Sequence, residues 1–144
     1  MKTRLLLGVL LLFGGANLAM ALAGGANFDF LKDEDRAVLE KRFVKDIYPL
    51  MLRGDKQGCV GCHNGKIVSS LKMSGNAEKD FRMLVKEGFF IPNDSGSALT
   101  RITTKNRKQK MPPPGKGEPW TEKETQLLHD FVMDLDKKQQ KKLK

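Results

Sequence analysis

The chain has 144 residues, 40% hydrophobic and 30% charged, with 26 basic against 17 acidic side chains and a formal charge of +9. That length predicts a single domain, and the lack of any fixed-period repeat excludes a solenoid or a propeller. The positive balance points to acidic partners or an anionic surface and carries no information about fold.

At the N-terminus, Lys2 and Arg4 precede an apolar run from Leu5 to Phe13, and small residues at Ala21 and Ala23 lead to Gly24. This is the layout of a secretory signal peptide over residues 1–23, cut after Ala23. A retained anchor is the rival reading, but a spanning helix takes about 20 mostly apolar residues. Here Gly14, Gly15 and Asn17 interrupt the stretch. Residues 24–144 are therefore expected to be exported to the periplasm, with no segment apolar enough to span a membrane.

Helical patterns follow in order. In "DEDRAVLEKRFVKDI" the acids Asp33, Glu34 and Asp35 suit a helix N-terminus, and Val38, Leu39, Phe43 and Ile47 recur at near-helical spacing. Pro49 predicts a break near Tyr48 and a short second turn leading to Cys59. The segment from Asn27 to Asp46 reads either as a docking element or as the domain's first helix. "NAEKDFRMLVKEG" predicts a helix capped by Asn76, with Phe81, Leu84 and Val85 inward and Gly88 as the stop. "SALTRITT" predicts a shorter one capped by Ser97, with Leu99 and Ile102 one turn apart. In the last, Thr121 and Glu124 form a capping box before an inward face of Leu127, Leu128, Phe131, Val132 and Leu135. The basic tail 136–144 is expected to fray. No alternating strand pattern occurs, so the fold class is all-α with sizeable loops.

Both cysteines and one of the two histidines fall in "GCVGCHNGK", as Cys59-x-x-Cys62-His63. A thioredoxin-like redox pair sits where a strand enters a helix of a βαβ unit, and none is visible. A zinc site takes about four ligands, typically as two pairs, and the sequence offers no second Cys/His pair. Covalent haem attachment explains the tight spacing. Two thiols one helical turn apart reach neighbouring vinyl groups on one porphyrin edge, and a histidine directly after the second turns its imidazole to the iron. A tethered haem also survives dilution outside the cell.

Candidates for the second axial ligand are His129 and the methionines Met51, Met73, Met83, Met111 and Met133. His129 sits on the flank of the last helix, and Met51, Met83 and Met133 sit at helical positions suited to packing. Met111 lies in the loop "KMPPPGKGEPW". Pro112 biases its backbone towards an extended form, and Pro112 to Pro114 are expected to stiffen the loop into something like polyproline. Met111 is the expected ligand.

The order "YPLMLRGDKQGCVGCHNG", "SGSALTRITTKNRKQKMPPPG", "WTEKETQLLHDFV" resembles the class I c-type cytochromes, most closely the planctomycete-type cytochrome c domain. The likeness covers a core of about Phe43 to Leu135. It implies a cytochrome c fold of four to five helices and long loops around one haem c, thioethers at Cys59 and Cys62, and axial iron ligation by His63 and Met111.

Two filled axial positions leave no easy site for substrate, so the chain is read as a one-electron carrier and not as an enzyme. Its partners would be redox proteins with acidic docking surfaces, steered by Lys56, Lys66 and the run Lys105, Arg107, Lys108 and Lys110. No nucleic-acid motif is present. Two alternatives remain open: a fixed haem subunit of a larger dehydrogenase or oxidase, and a haem sensor or enzyme with a displaceable distal ligand.

Overall fold

Asp33, Glu34 and Asp35 lie in the first turn of α1 (Asp33–Arg42), and Lys41 and Arg42 lie in its last, so both ends of the helix carry charges that oppose its dipole. The computed structural model describes residues 31–53, 58–66 and 71–142; the expected signal peptide, residues 1–23, and Lys56 lie outside them. The segment ahead of the cysteines is thus the domain's first helix, with Leu31 and Leu39 already in the core. Val38, expected inward, is 59% exposed. It is one helical step from Leu39, and the buried stripe follows Leu39, Phe43 and Ile47 instead.

Pro49 opens the expected short second helix at Tyr48, but the chain stays helical up to it. The helix widens into a π-turn at Phe43–Ile47 and resumes as α2 (Tyr48–Leu52), with Pro49 in the first turn. The Tyr48 N–H bonds to the Phe43 carbonyl, five residues back. A wider turn before the proline gives its ring room and re-aims the residues that follow. Both Tyr48 and Met51 are buried.

Next come α3 (Gly58–Cys62), α4 (Ala77–Lys86), α5 (Ala98–Thr103) and α6 (Glu122–Lys142), with no strand among the described residues. The fold is all-α. Asn76 and Ser97 accept hydrogen bonds from the Lys79 and Thr100 N–H groups as side-chain caps, and Gly88, at φ 76°, follows the end of α4. At α6 the capping box closes both ways, Thr121 N–H to Glu124 at 2.7 Å and Glu124 N–H to Thr121 at 3.3 Å. Residues 136–142 do not fray. The helix runs on to Lys142, and Lys138 bonds to Asp35 at 2.5 Å, which docks its last turns on α1. No helix among the described residues is long and apolar enough to cross a membrane.

The core is aromatic. The Phe43 ring lies 5.6 Å from Tyr48, 5.3 Å from Phe81, 5.9 Å from Phe90 and 5.9 Å from Phe131. Tilted and edge-on rings at such separations add attraction beyond their area burial. Leu84, Leu128, Val132 and Leu135 close the cluster from α4 and α6.

One carboxylate is buried beside it. Asp80, 1% exposed, accepts from Tyr48 Oη at 2.7 Å, from Ser74 N–H at 2.6 Å and Oγ at 2.8 Å, and from Gly75 N–H at 3.1 Å. It ties the segment before α4 to α2.

Truncating Phe43 to Ala is expected to cost about 3–5 kcal/mol of unfolding free energy in chemical denaturation. Asp80→Ala is expected to cost about 3 kcal/mol, because buried donors lose their acceptor.

Candidate functional site

Gly58 opens α3 at φ 53°, in the left-handed region, and a Cβ there would run into the carbonyl oxygens of Met51 and Arg53. Only glycine lets the cysteine turn sit this close to the end of α2. Val60 is buried, and Cys59 and Cys62 are half-buried one helical turn apart. The His63 N–H donates to the Cys59 carbonyl at 2.8 Å, so His63 continues the turn. The structure thus brings Cys59, Cys62 and His63 together.

Downstream the chain folds back over this turn. Asn64 donates to the Gly61 carbonyl at 3.2 Å and accepts from the Lys66 N–H at 2.9 Å, the latter closing an Asx-turn. The Met73 N–H donates to the His63 carbonyl at 2.5 Å, and Asn64 and Lys72 form an antiparallel bridge. Because Asp80 holds Ser74 and Gly75, hydrogen bonds run from the His63 peptide through residues 73–75 to Asp80 and Tyr48.

Both cysteines are free thiols. Burial pushes the Cys59 thiol up to about 11; its own backbone hydrogen bond and Arg53 pull against that shift, and Cys62 adds to it. Thiol–disulfide exchange runs through a thiolate, and this environment suppresses it. Burial holds the His63 imidazole below its ordinary pKa, and its Nδ1 is buried with no hydrogen-bond partner. The ring is therefore kept neutral, the form that ligates metals. No group of three or more His, Cys, Asp or Glu side chains placed to hold a metal ion occurs among the described residues.

Met111 stands on a separate loop hung from α5, where its N–H donates to the Arg101 carbonyl at 2.8 Å. Its side chain is half-buried and its peptide bond to Pro112 is cis. The prolines do not run on as an extended rod. Lys116 N–H donates to the Pro113 carbonyl at 2.9 Å with Gly115 at φ 77°, a turn built from proline and then glycine, and Gly117 returns against the Pro112 ring. Stiffness here comes from a reversed, self-packed loop.

The far end of this loop meets Arg53. Its guanidinium donates to the Pro119 carbonyl at 2.8 Å, pairs with Glu124 and lies 5.7 Å from the centre of the Trp120 ring. Beside it a cavity of about 470 Å³ opens between α5 and α6, lined by Leu99 and Ile102, by Lys110 and Trp120, and by His129 among others.

The other ligand candidates have other duties. Met51 and Met73 are core residues at 6% and 3% exposure, and Met83 packs against the core. Met133, expected to pack, is 43% exposed. His129 is exposed and lies 3.3 Å from the Asp130 carboxylate on its own helix. Sequence reasoning missed Asp80, Arg53 and Trp120. Asp80 was visible as a carboxylate on the inward stripe with Phe81 and Leu84; Arg53 left no signal.

Two reduced thiols on one turn, a neutral imidazole with an unpartnered buried nitrogen and a thioether on a self-packed loop fit the donor set of a covalently held haem. In Cys62→Ser apoprotein, which loses the contribution of Cys62 but keeps the burial, Cys59 is expected to alkylate with an apparent pKa still above that of an ordinary thiol. At pH 8 its rate is expected to be roughly tenfold below that of an ordinary thiol, because the smaller thiolate fraction outweighs the greater nucleophilicity of a more basic thiolate. An ordinary rate would restore the redox-pair reading. Comparison of the chain with family models, with curated proteins and with solved structures returns no match.

Proposed function

We propose that the chain is an exported monohaem c-type cytochrome, of the class I planctomycete-like kind, that carries single electrons between redox proteins. The observation that carries this reading is the turn Cys59–His63, with both thiols free and the Nδ1 of His63 buried and unpaired. A haem bound there supplies reversible one-electron exchange at iron.

Each residue has a defined part. Cys59 and Cys62 hold the ring as thioethers, His63 supplies a neutral imidazole, and Met111 supplies a weak thioether whose loop is already shaped. The 2.5 Å bond from Met73 N–H fixes the His63 peptide, so the imidazole is presented from a braced backbone. With His63 and Met111 both engaged in holding the group, the chain would leave no open place on it for a substrate.

The cation run forms an ordered display. Thr104 Oγ1 accepts from the Asn106 N–H and Asn106 Oδ1 from the Lys108 N–H, each at 3.1 Å, in a pair of tight turns. Lys105, Arg107 and Lys108 are exposed, and no ion pair holds them among the described residues. Such a face suits an acidic redox partner.

Protein matured in an exporting host is expected to keep its haem through acid extraction; a haem-free chain would sink the proposal. Met111→Ala is expected to abolish the sulfur-to-iron charge-transfer band and admit carbon monoxide, whereas an unchanged spectrum would assign the ligand elsewhere. Electron-transfer rates with an acidic partner are expected to fall about tenfold between low and physiological salt. A rate indifferent to salt would remove the steering role of the cations.

A further inference from the structure

The loop that carries Met111 stands on two feet. One is the Met111 N–H bond to the Arg101 carbonyl at 2.8 Å, at the end of α5. The other lies just before α6, where Pro119, Trp120 and Glu124 all meet the Arg53 side chain. Arg53 belongs to neither foot. It follows α2 and precedes the cysteine turn, and its carbonyl oxygen stands against Gly58, where that turn opens.

The two feet border one cavity. Lys110, next to Met111, and Trp120 and Glu122, at the far end, line the same space of about 470 Å³ between α5 and α6. Trp120 supplies the apolar contact with the core at this open edge, and polar ties supply the rest of the closure. The Arg53 pair is well placed to supply them. Its two side chains are 22% and 20% exposed, and a charge-assisted bond so shielded is stronger than one in open solvent. Glu124 divides its carboxylate between Arg53 and the Thr121 N–H, so α6 begins where the latch closes.

We propose that Arg53 is a positioning residue that latches the far foot of the Met111 loop to the segment entering the cysteine turn, and so sets how readily Met111 leaves the iron. This rests on the His63/Met111 reading above. Without the latch the far foot keeps only the packing of Trp120 and the α6 capping box, and Met111 departs more often while Cys59, Cys62 and His63 stay as they were.

The test uses the full chain in two forms. In haem-loaded protein, Arg53→Met keeps the apolar stem and removes the donors. It is expected to raise the rate of cyanide binding to the ferric form about tenfold, the cost of a lost charge-assisted hydrogen bond, with covalent haem content unchanged. Arg53→Lys is expected to recover part of that loss, and Glu124→Gln, which keeps an acceptor for Thr121, to give a smaller rise. In haem-free protein, trypsin is expected to cut after Lys116 about tenfold faster in Arg53→Met, with cleavage after Lys79 unchanged.

Wild-type cyanide rates in both Arg53→Met and Glu124→Gln would overturn the latch. So would equal acceleration at Lys116 and Lys79, which would mark a general loss of stability. If the unsubstituted chain takes up no haem, the function falls, and the digestion alone decides whether Arg53 holds the loop.

Discussion

Phe43 is the point on which the molecule closes. Its ring meets rings from α2, from α4, from the turn after α4 and from α6, so segments from Tyr48 to Phe131 converge on one side chain. Helices alone could not define this arrangement, since α2, α3 and α5 have only five or six residues and are too short to persist in isolation. They borrow order from the aromatic centre. Everything that presents a thiol, an imidazole or a thioether is hung from that centre by shorter, polar connections.

Those connections differ in kind from the core. The His63 peptide is braced by a backbone bond from Met73, the brace by Asp80, and Asp80 by its place among Phe81 and Leu84. On the other side, Met111 hangs from Arg101 and its loop closes on Arg53. Hydrophobic burial is non-directional and tolerates small displacements, whereas a buried hydrogen bond fixes a direction. A site that must present sulfur and nitrogen at set angles is served by the second kind. Core residues set where the segments are, and Asp80 and Arg53 set how they face.

What was legible in the sequence follows the same division. Caps at Asn76, Ser97 and Thr121 could be read because capping is local, a matter of three or four adjacent residues. The inward faces of α4 and α6 were read from period alone. Val38 and Met133 were misplaced because each stands beside the buried stripe, and period leaves an error of one position. The loop of prolines was read as extended because three prolines suggest it, and Gly115 and Gly117 turn it back. The tail was read as frayed because lysine-rich ends usually are, and its tie to Asp35 spans more than a hundred residues. Tertiary partners of this sort leave no mark in any short window. Arg53 is the same case at the candidate site.

The π-turn at Phe43–Ile47 has a consequence for how the first rod communicates direction. One residue more in a helical turn advances everything after it by about 100° around the axis. The segment from Asp33 to Leu52 is therefore two helices with different angular origins, joined through one wide turn. Leu39 and Phe43 belong to the first phase, and Tyr48 and Met51 belong to the second. Length in this segment is then a rotational coordinate: a residue gained or lost between Phe43 and Ile47 would leave the segment helical and turn Tyr48 and Met51 away from the core side.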